Sequence, residues 1–247
     1  MQELWNGFEI KSFEFEGKTA HIVFPEAGTA NGFLAMKMIY WDAFPEAAEI
    51  DLLKKGFHLC YVDHDFRWGA ADDLDRQARF VQYVTEEYGL QKEIACVGMS
   101  CGGLTAIKFA ARHPQLVAVL YLDAPVLNFM SCPCGFGEGN EIVGGIDEIL
   151  SALKMDSISQ LICYREMPMD KIPELVKNKI PVVMVAGGSD PVVPFHENGI
   201  MLKKAYEENN LAFAFFMKPE CAHHPHGLED PTPVLTFIEE HIRKSAK

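Results

Sequence analysis

Short, unbroken apolar runs alternate along this chain with longer amphipathic stretches, and that alternation constrains the fold more than any other feature. Residues 57–62, 93–97, 116–122, 180–186 and 212–217 are apolar runs of strand length. Among them lie stretches with apolar residues at helical spacing, at 47–55, 72–88, 104–112 and 197–208, with a last one at 233–244. Gly56 and Gly89 follow the first two of these stretches, and Pro114 comes just after the third, as helix-stop signals. Strands that are apolar throughout are buried on both faces, and strands alternating with helices build a mostly parallel sheet covered on both sides. The expected fold class is therefore α/β. The beginning differs. Residues 8–15 and 19–24 mix aromatic and β-branched side chains around Glu16-Gly17-Lys18, which reads as a hairpin.

At 247 residues and 49% hydrophobic content, one domain spanning 1–247 is expected. Residues 124–178 break the alternation. They carry Cys132-Pro133-Cys134-Gly135, further glycines and two helical patches, and read as a cap inserted over the top of the sheet. Ligands of parallel sheets bind beyond the carboxyl ends of the strands, so the chemistry is expected there.

The run 94–97 enters Gly98-Met99-Ser100-Cys101-Gly102-Gly103, and a helix follows. A Gly-x-Ser-x-Gly sequence alone is weak and can be a glycine-rich turn with a capping serine. Between a strand and a helix it fits a nucleophile elbow, with Ser100 at a helix N-terminus whose partial positive charge favours a developing oxyanion. The Cys101 amide is then one oxyanion donor. A serine needs a base, and the base needs an orienting acid, in the chain order serine, acid, histidine. Asp190 follows the run 181–186 in Gly187-Gly188-Ser189-Asp190-Pro191 and is the expected acid, against a reading as an Asp-Pro turn former; Asp123 is the reserve. The base falls in Cys221-Ala222-His223-His224-Pro225-His226-Gly227, and His223 is preferred over His224 and His226. The second oxyanion donor is expected from Phe24-Pro25-Glu26-Ala27-Gly28, at the Ala27 amide, with Glu26 next; Pro25 has no amide hydrogen.

With Ser100, Asp190 and His223 in these positions the chain resembles the α/β-hydrolase superfamily over nearly its whole length, and in particular bacterial esterase and carbohydrate-esterase-like members. The stretches that carry the likeness are Leu52-Leu53-Lys54-Lys55-Gly56-Phe57-His58, the elbow, Asp123-Ala124-Pro125-Val126, and His223-His224-Pro225-His226-Gly227-Leu228 with Asp230-Pro231-Thr232-Pro233. The resemblance implies ester hydrolysis through an acyl-enzyme, without a cofactor. Two departures bear on the substrate pocket: Cys101 stands where such relatives commonly have arginine, and residues 31–37 lack the tryptophans expected there.

Other function classes fit less well. With 22 basic and 35 acidic residues the net charge is −13, which disfavours sequence-independent nucleic-acid binding and adhesion to anionic membranes. No apolar run reaches the ~18–20 residues of a membrane span. Residues 1–7 show neither a basic nor an apolar leader region, and seven cysteines, an odd number, suggest reduced thiols, so a cytoplasmic location is expected. Cys132-Pro133-Cys134 lacks metal or redox spacing, and the three histidines are read as a base with pocket or surface neighbours, so no metal is expected. Asp63-His64-Asp65 reads equally as a pocket edge or a solvated loop. The expected partner is a small-molecule ester, and a homo-oligomer is compatible with the sequence. The alternatives are a peptidase or amidase with the same three residues, and a catalytically silent ligand-binding homologue.

Overall fold

The computed structural model describes residues 3–245. Nine strands form one sheet: β1 (Leu4–Trp5), β2 (Phe8–Phe15), β3 (Lys18–Val23), β4 (Leu34–Lys37), β5 (His58–Val62), β6 (Ile94–Met99), β7 (Val117–Asp123), β8 (Val182–Gly187) and β9 (Phe213–Lys218). Their order is β1-β2-β3-β5-β4-β6-β7-β8-β9. The first three strands join antiparallel, and β3 lies antiparallel to β5; from β5 through β4 to β9 every pairing is parallel. The expected hairpin is β2–β3. The sequence reading missed β1, and it missed β4, the four-residue strand at the centre of the sheet.

Among the described residues, eight α-helices accompany the sheet: α1 (Glu49–Lys54), α2 (Ala71–Tyr88), α3 (Cys101–Arg112), α4 (Gly145–Ala152), α5 (Ile158–Ile162), α6 (Ile172–Lys177), α7 (Gly199–Glu208) and α8 (Thr232–Ser245). Alternation along the buried strands divides the core between the two faces. Ile94 and Cys96 of β6, with Val182 and Met184 of β8, meet Phe80, Val84, Ile107, Leu175 and Tyr206 from α2, α3, α6 and α7. Ala95, Val97, Val183 and Val185 point the other way, onto Leu52 and Leu53 of α1 and Val234, Ile238 and Ile242 of α8. The α2 helix ends at Gly89, whose φ of 65° lies in the left-handed region that glycine adopts most readily.

Residues 124–178 carry α4, α5 and α6. Val126, Phe129, Cys132, Cys134, Ile149 and Leu161 pack with Trp68, Cys101 and Leu104 in a third apolar cluster above the start of α3. All seven cysteines are free thiols. Among the described residues no helix is long and apolar enough to cross a membrane.

In the order of strands, β4 is flanked by β5 on one side and β6 on the other. The chain therefore winds in opposite directions from β4, and the carboxyl ends of β4 and β6 bound the crevice such a reversal leaves.

Candidate active site

The turn from β6 into α3 is strained. Ser100 has φ 53° and ψ −117°, a region that favours glycine. Its neighbours hold it there: the Ser100 amide donates to Asp123 O at 2.9 Å, and Ser100 O accepts from the Val126 amide at 3.2 Å. The turn is also tight. A Cβ on Gly98 would lie 2.4 Å from Gly102 O, and one on Gly103 would lie 2.5 Å from Pro125 Cβ, whereas one on Gly102 meets nothing closer than 3.7 Å. The crowded positions of the turn are therefore 98 and 103. Gly98→Ala is expected to lower stability by about 1–3 kcal/mol, the range for overpacking. Gly102→Ala is expected to stay within about 1 kcal/mol of wild type, since alanine favours the helix. Urea unfolding of both variants checks this, and a neutral Gly98→Ala would refute the steric account.

Ser100, His223 and Asp190 form one hydrogen-bonded line. His223 Nε2 lies 3.1 Å from Ser100 Oγ, and His223 Nδ1 lies 2.7 Å from Asp190 Oδ2. Asp190 and His223 are both buried. The other oxygen, Asp190 Oδ1, accepts from the Val192 and Val193 amides at 2.8 and 2.9 Å. Burial pushes the Asp190 carboxyl up, but the His223 hydrogen bond, reinforced by these two amides, outweighs it and holds the group below the ordinary carboxylate range.

Asp123, the reserve acid, has another partner. Its Oδ1 accepts from His226 Nδ1 at 2.8 Å, and its Oδ2 accepts from the Gly227 amide at 2.6 Å and from the Tyr121 hydroxyl at 3.3 Å. Two buried His–Asp pairs thus lie side by side, with the His223 and His226 ring centres 5.0 Å apart. His224 is exposed and stacks on Phe44, with ring centres 5.2 Å apart. Desolvation, with His223 and His226 nearby, lowers the His224 pKa and so favours its neutral imidazole. Lys218 Nζ pins the backbone of this loop by donating to Pro225 O and Gly227 O at 2.6 and 2.8 Å.

The Cys101 amide opens α3 and has no carbonyl one turn earlier to donate to. Ala27 is elsewhere, and this expectation is corrected. β3 runs antiparallel to β5, with Val23 opposite Leu59 near the start of β5, so the loop after β3 lies at the amino ends of the parallel strands. The Asn31 amide donates to Gly56 O there. The turn that follows the carboxyl end of β4 lies instead at the Ser100 edge, and Tyr40 in that turn lines the same cavity as Ser100. Nor does Asp63-His64-Asp65 reach the cavity: Tyr61 donates to Asp63, while Lys18 and Arg76 take Asp65.

The cavity over Ser100 measures about 360 Å³. Apolar walls come from Ala43, Phe44, Met99, Ile142 and Val192, and the charged residue among its lining is Arg67. Arg67 makes a two-point pair with Glu148 of α4, with Nε–Oε2 2.8 Å and Nη2–Oε1 3.0 Å, and lies over the Trp68 ring. Segment 124–178 therefore supplies one wall, Ile142, and anchors the guanidinium of another.

Below the cavity the fully buried Lys37 pairs with the equally buried Glu49 and donates to Ala43 O at 2.9 Å. Burial pushes the Glu49 carboxyl up, against the pull of the Lys37 ammonium. The pair ties β4 to the turn that lines the cavity. Tyr40, Arg67 and this pair escaped the sequence reading, although a lysine inside an apolar run was a visible signal for the pair.

A family model for the alpha/beta hydrolase fold matches residues 32–134. No curated protein matches the sequence. Several solved structures are similar. A protein described as a dipeptidyl aminopeptidase IV from Bacteroides ovatus superposes with TM-score 0.69 at 15% identity, over 96% of this chain and 35% of its own. The acylaminoacyl peptidase of Pyrococcus horikoshii gives TM-score 0.68 at 15% identity, over 87% and 37%. Dipeptidyl peptidase 4 of Porphyromonas gingivalis gives 0.65 at 15% identity, over 98% and 36%. The chain spans little more than a third of the length of these proteins. With its parallel sheet winding both ways from β4, a strained serine turn between β6 and α3, and a matching family model over residues 32–134, the chain has the α/β-hydrolase fold.

Proposed function

We propose that the protein is a serine hydrolase that cleaves carboxylic esters with small, apolar acyl groups through an acyl-enzyme. The observation that carries this reading is the hydrogen-bonded line from Ser100 Oγ through His223 to Asp190, at 3.1 and 2.7 Å, opening into an apolar cavity.

Ser100 Oγ attacks the acyl carbon while its proton passes to His223 Nε2. Asp190 keeps the other imidazole proton on Nδ1 and stabilises the imidazolium. The oxyanion of the tetrahedral intermediate is held by the Cys101 amide and an amide of the turn after β4, for which Tyr40 is the candidate. The imidazolium then protonates the departing alcohol, and water, deprotonated by the same base, releases the acid. Residues 124–178 act as a cap through Ile142 and the Glu148–Arg67 pair. The free thiols support residence in a reducing compartment such as the cytoplasm.

A peptidase is the second reading, because the similar solved structures are peptidases. The lining favours esters over the removal of dipeptides. An exopeptidase must hold a protonated amino terminus, and here the charged group on the wall, Arg67, is itself a cation.

A panel of p-nitrophenyl esters from acetate to decanoate, run beside the matching p-nitroanilides, tests the choice. Turnover is expected to peak at short acyl chains and to fall for decanoate, whose chain would fill most of a cavity of about 360 Å³ and leave little of it for the leaving group. Faster cleavage of the anilides than of the esters would move the assignment to a peptidase. Inertness to both, and to a fluorophosphonate probe, would make the protein a ligand-binding homologue.

A further inference from the structure

We propose that His223, His224 and His226 form a binding site for one divalent ion of the Zn²⁺ class, and that its occupancy switches the hydrolase off. The second half rests on the reading of Ser100 and His223 as nucleophile and base; the first half does not.

The ligand nitrogens of the three rings lie within 4.8 Å of one another. Tetrahedral Zn²⁺ with Zn–N distances of about 2.0–2.1 Å sets its nitrogens about 3.3 Å apart, so closure asks for side-chain movements of only ~1–2 Å. Two of the rings already have a carboxylate partner on one nitrogen. Asp190 takes the Nδ1 side of His223 and Asp123 takes the Nδ1 side of His226, at 2.7 and 2.8 Å. A carboxylate behind a histidine fixes the tautomer, leaves the Nε2 lone pair for a metal and raises its basicity. This site has two such carboxylates on neighbouring rings.

The third ligand gives access. His224 is exposed, and the stacked Phe44 ring restrains it beside the other two. The backbone under the three rings is held at Gly227 by Asp123 and at Pro225 and Gly227 by Lys218, so the ligands sit on a fixed loop rather than a loose one. A net charge of −13 draws cations toward the molecule. Three imidazoles select Zn²⁺, Cu²⁺ or Ni²⁺ over Mg²⁺ and Ca²⁺, which prefer oxygen.

The consequence follows from one lone pair. His223 Nε2 faces Ser100 Oγ at 3.1 Å and is the atom that would take the serine proton. Coordinated to a metal, it has no lone pair to accept that proton. The proton stays on Nδ1, hydrogen-bonded to Asp190, no covalent bond of the chain is made or broken, and chelation reverses the block.

The test uses the full, tag-free chain, stripped with EDTA and carrying Cys163→Ser and Cys221→Ser so that the more accessible thiols do not compete. Calorimetric titration with ZnCl₂ is expected to show one ion per chain with Kd at or below about 10 μM. His224→Ala and His226→Ala, each confirmed folded by circular dichroism, are expected to weaken binding by about tenfold or more. Saturating Zn²⁺ is expected to stop fluorophosphonate labelling of Ser100, EDTA to restore it, and Ca²⁺ and Mg²⁺ to do neither. The absence of saturable binding up to about 1 mM, or binding by both variants as tight as by the unsubstituted histidines, overturns the site. Binding that leaves labelling untouched overturns the switch. A chain that binds Zn²⁺ as expected yet reacts with neither probe nor ester when metal-free keeps the site and loses the hydrolase reading.

Discussion

Ser100→Ala is expected to lower kcat on the best p-nitrophenyl ester by about 10⁴–10⁶-fold, because in the proposed mechanism the hydroxyl is the attacking atom and nothing else in the line can form the acyl-enzyme. Fluorophosphonate labelling should vanish with it. Stability should hardly change: alanine keeps the Cβ and therefore keeps the strain of φ 53°, and the lost hydrogen bond to His223 is worth only about 1 kcal/mol. Ser100→Gly separates the catalytic role from the structural one. At an ordinary helical position glycine is less stable than alanine by about 0.5–1 kcal/mol. At Ser100 the strain released, of order 1–3 kcal/mol, should reverse the sign, so that Ser100→Gly is the more stable of two equally inactive variants. Urea unfolding with steady-state kinetics reads both effects. An active Ser100→Ala removes the nucleophile assignment; an active wild type with Ser100→Gly less stable than Ser100→Ala keeps the assignment and removes the strained elbow.

The elements legible in the sequence were those whose local pattern and tertiary role coincide. β6, β7 and β8 are buried on both faces, so every residue in them is under the same pressure to be apolar, and they read as unbroken runs. The α2 helix shows its period because one side faces the core and the other water. β4 fails that test: it is four residues long and ends in Lys37, whose charge is matched by Glu49, twelve positions away. Missing β4 carried a cost, since a loop at the Ser100 edge must follow a parallel strand. With β4 unseen, the loop after β3 took its place and Ala27 was chosen, at the wrong end of the sheet. Chain direction is a property of pairing, and pairing is not written in a single strand's composition.

The site divides in the same way. That Ser100, Asp190 and His223 come together was legible because each follows a recognisable strand or its turn, in the serine, acid, histidine order of this fold, and the structure joins the three by hydrogen bonds. The partnership of His226 with Asp123 was not readable. It joins residues 103 positions apart, and nothing local distinguishes an aspartate that orients one histidine from an aspartate that orients another. Arg67 was hidden for a related reason, since its place on the cavity wall depends on Glu148, 81 positions away in α4.

That ambiguity between two aspartates sets up the second large effect. Asp190→Asn is expected to lower kcat by about 10⁴-fold while leaving the fold nearly intact. The amide oxygen of asparagine can still accept from the Val192 and Val193 amides, which keeps the turn. Its NH₂ group, however, would face His223 Nδ1 and donate to it. The imidazole proton then moves to Nε2, the atom 3.1 Å from Ser100, and a nitrogen that already carries a proton cannot take another from the serine. Asp123→Asn should give the opposite profile. Its carboxylate accepts from His226, Gly227 and Tyr121, all buried, so the loss should appear mainly as about 1–3 kcal/mol of stability, with kcat down by no more than about 10²-fold through a looser His223 loop. Kinetics and urea unfolding on the pair of variants give a two-by-two comparison. If Asp123→Asn shows the 10⁴-fold loss and Asp190→Asn only the stability loss, the acid is Asp123 and its histidine, His226, becomes the base. If both variants lose activity to the same degree, the two His–Asp pairs work as one coupled unit rather than as a catalytic line with a positioning neighbour.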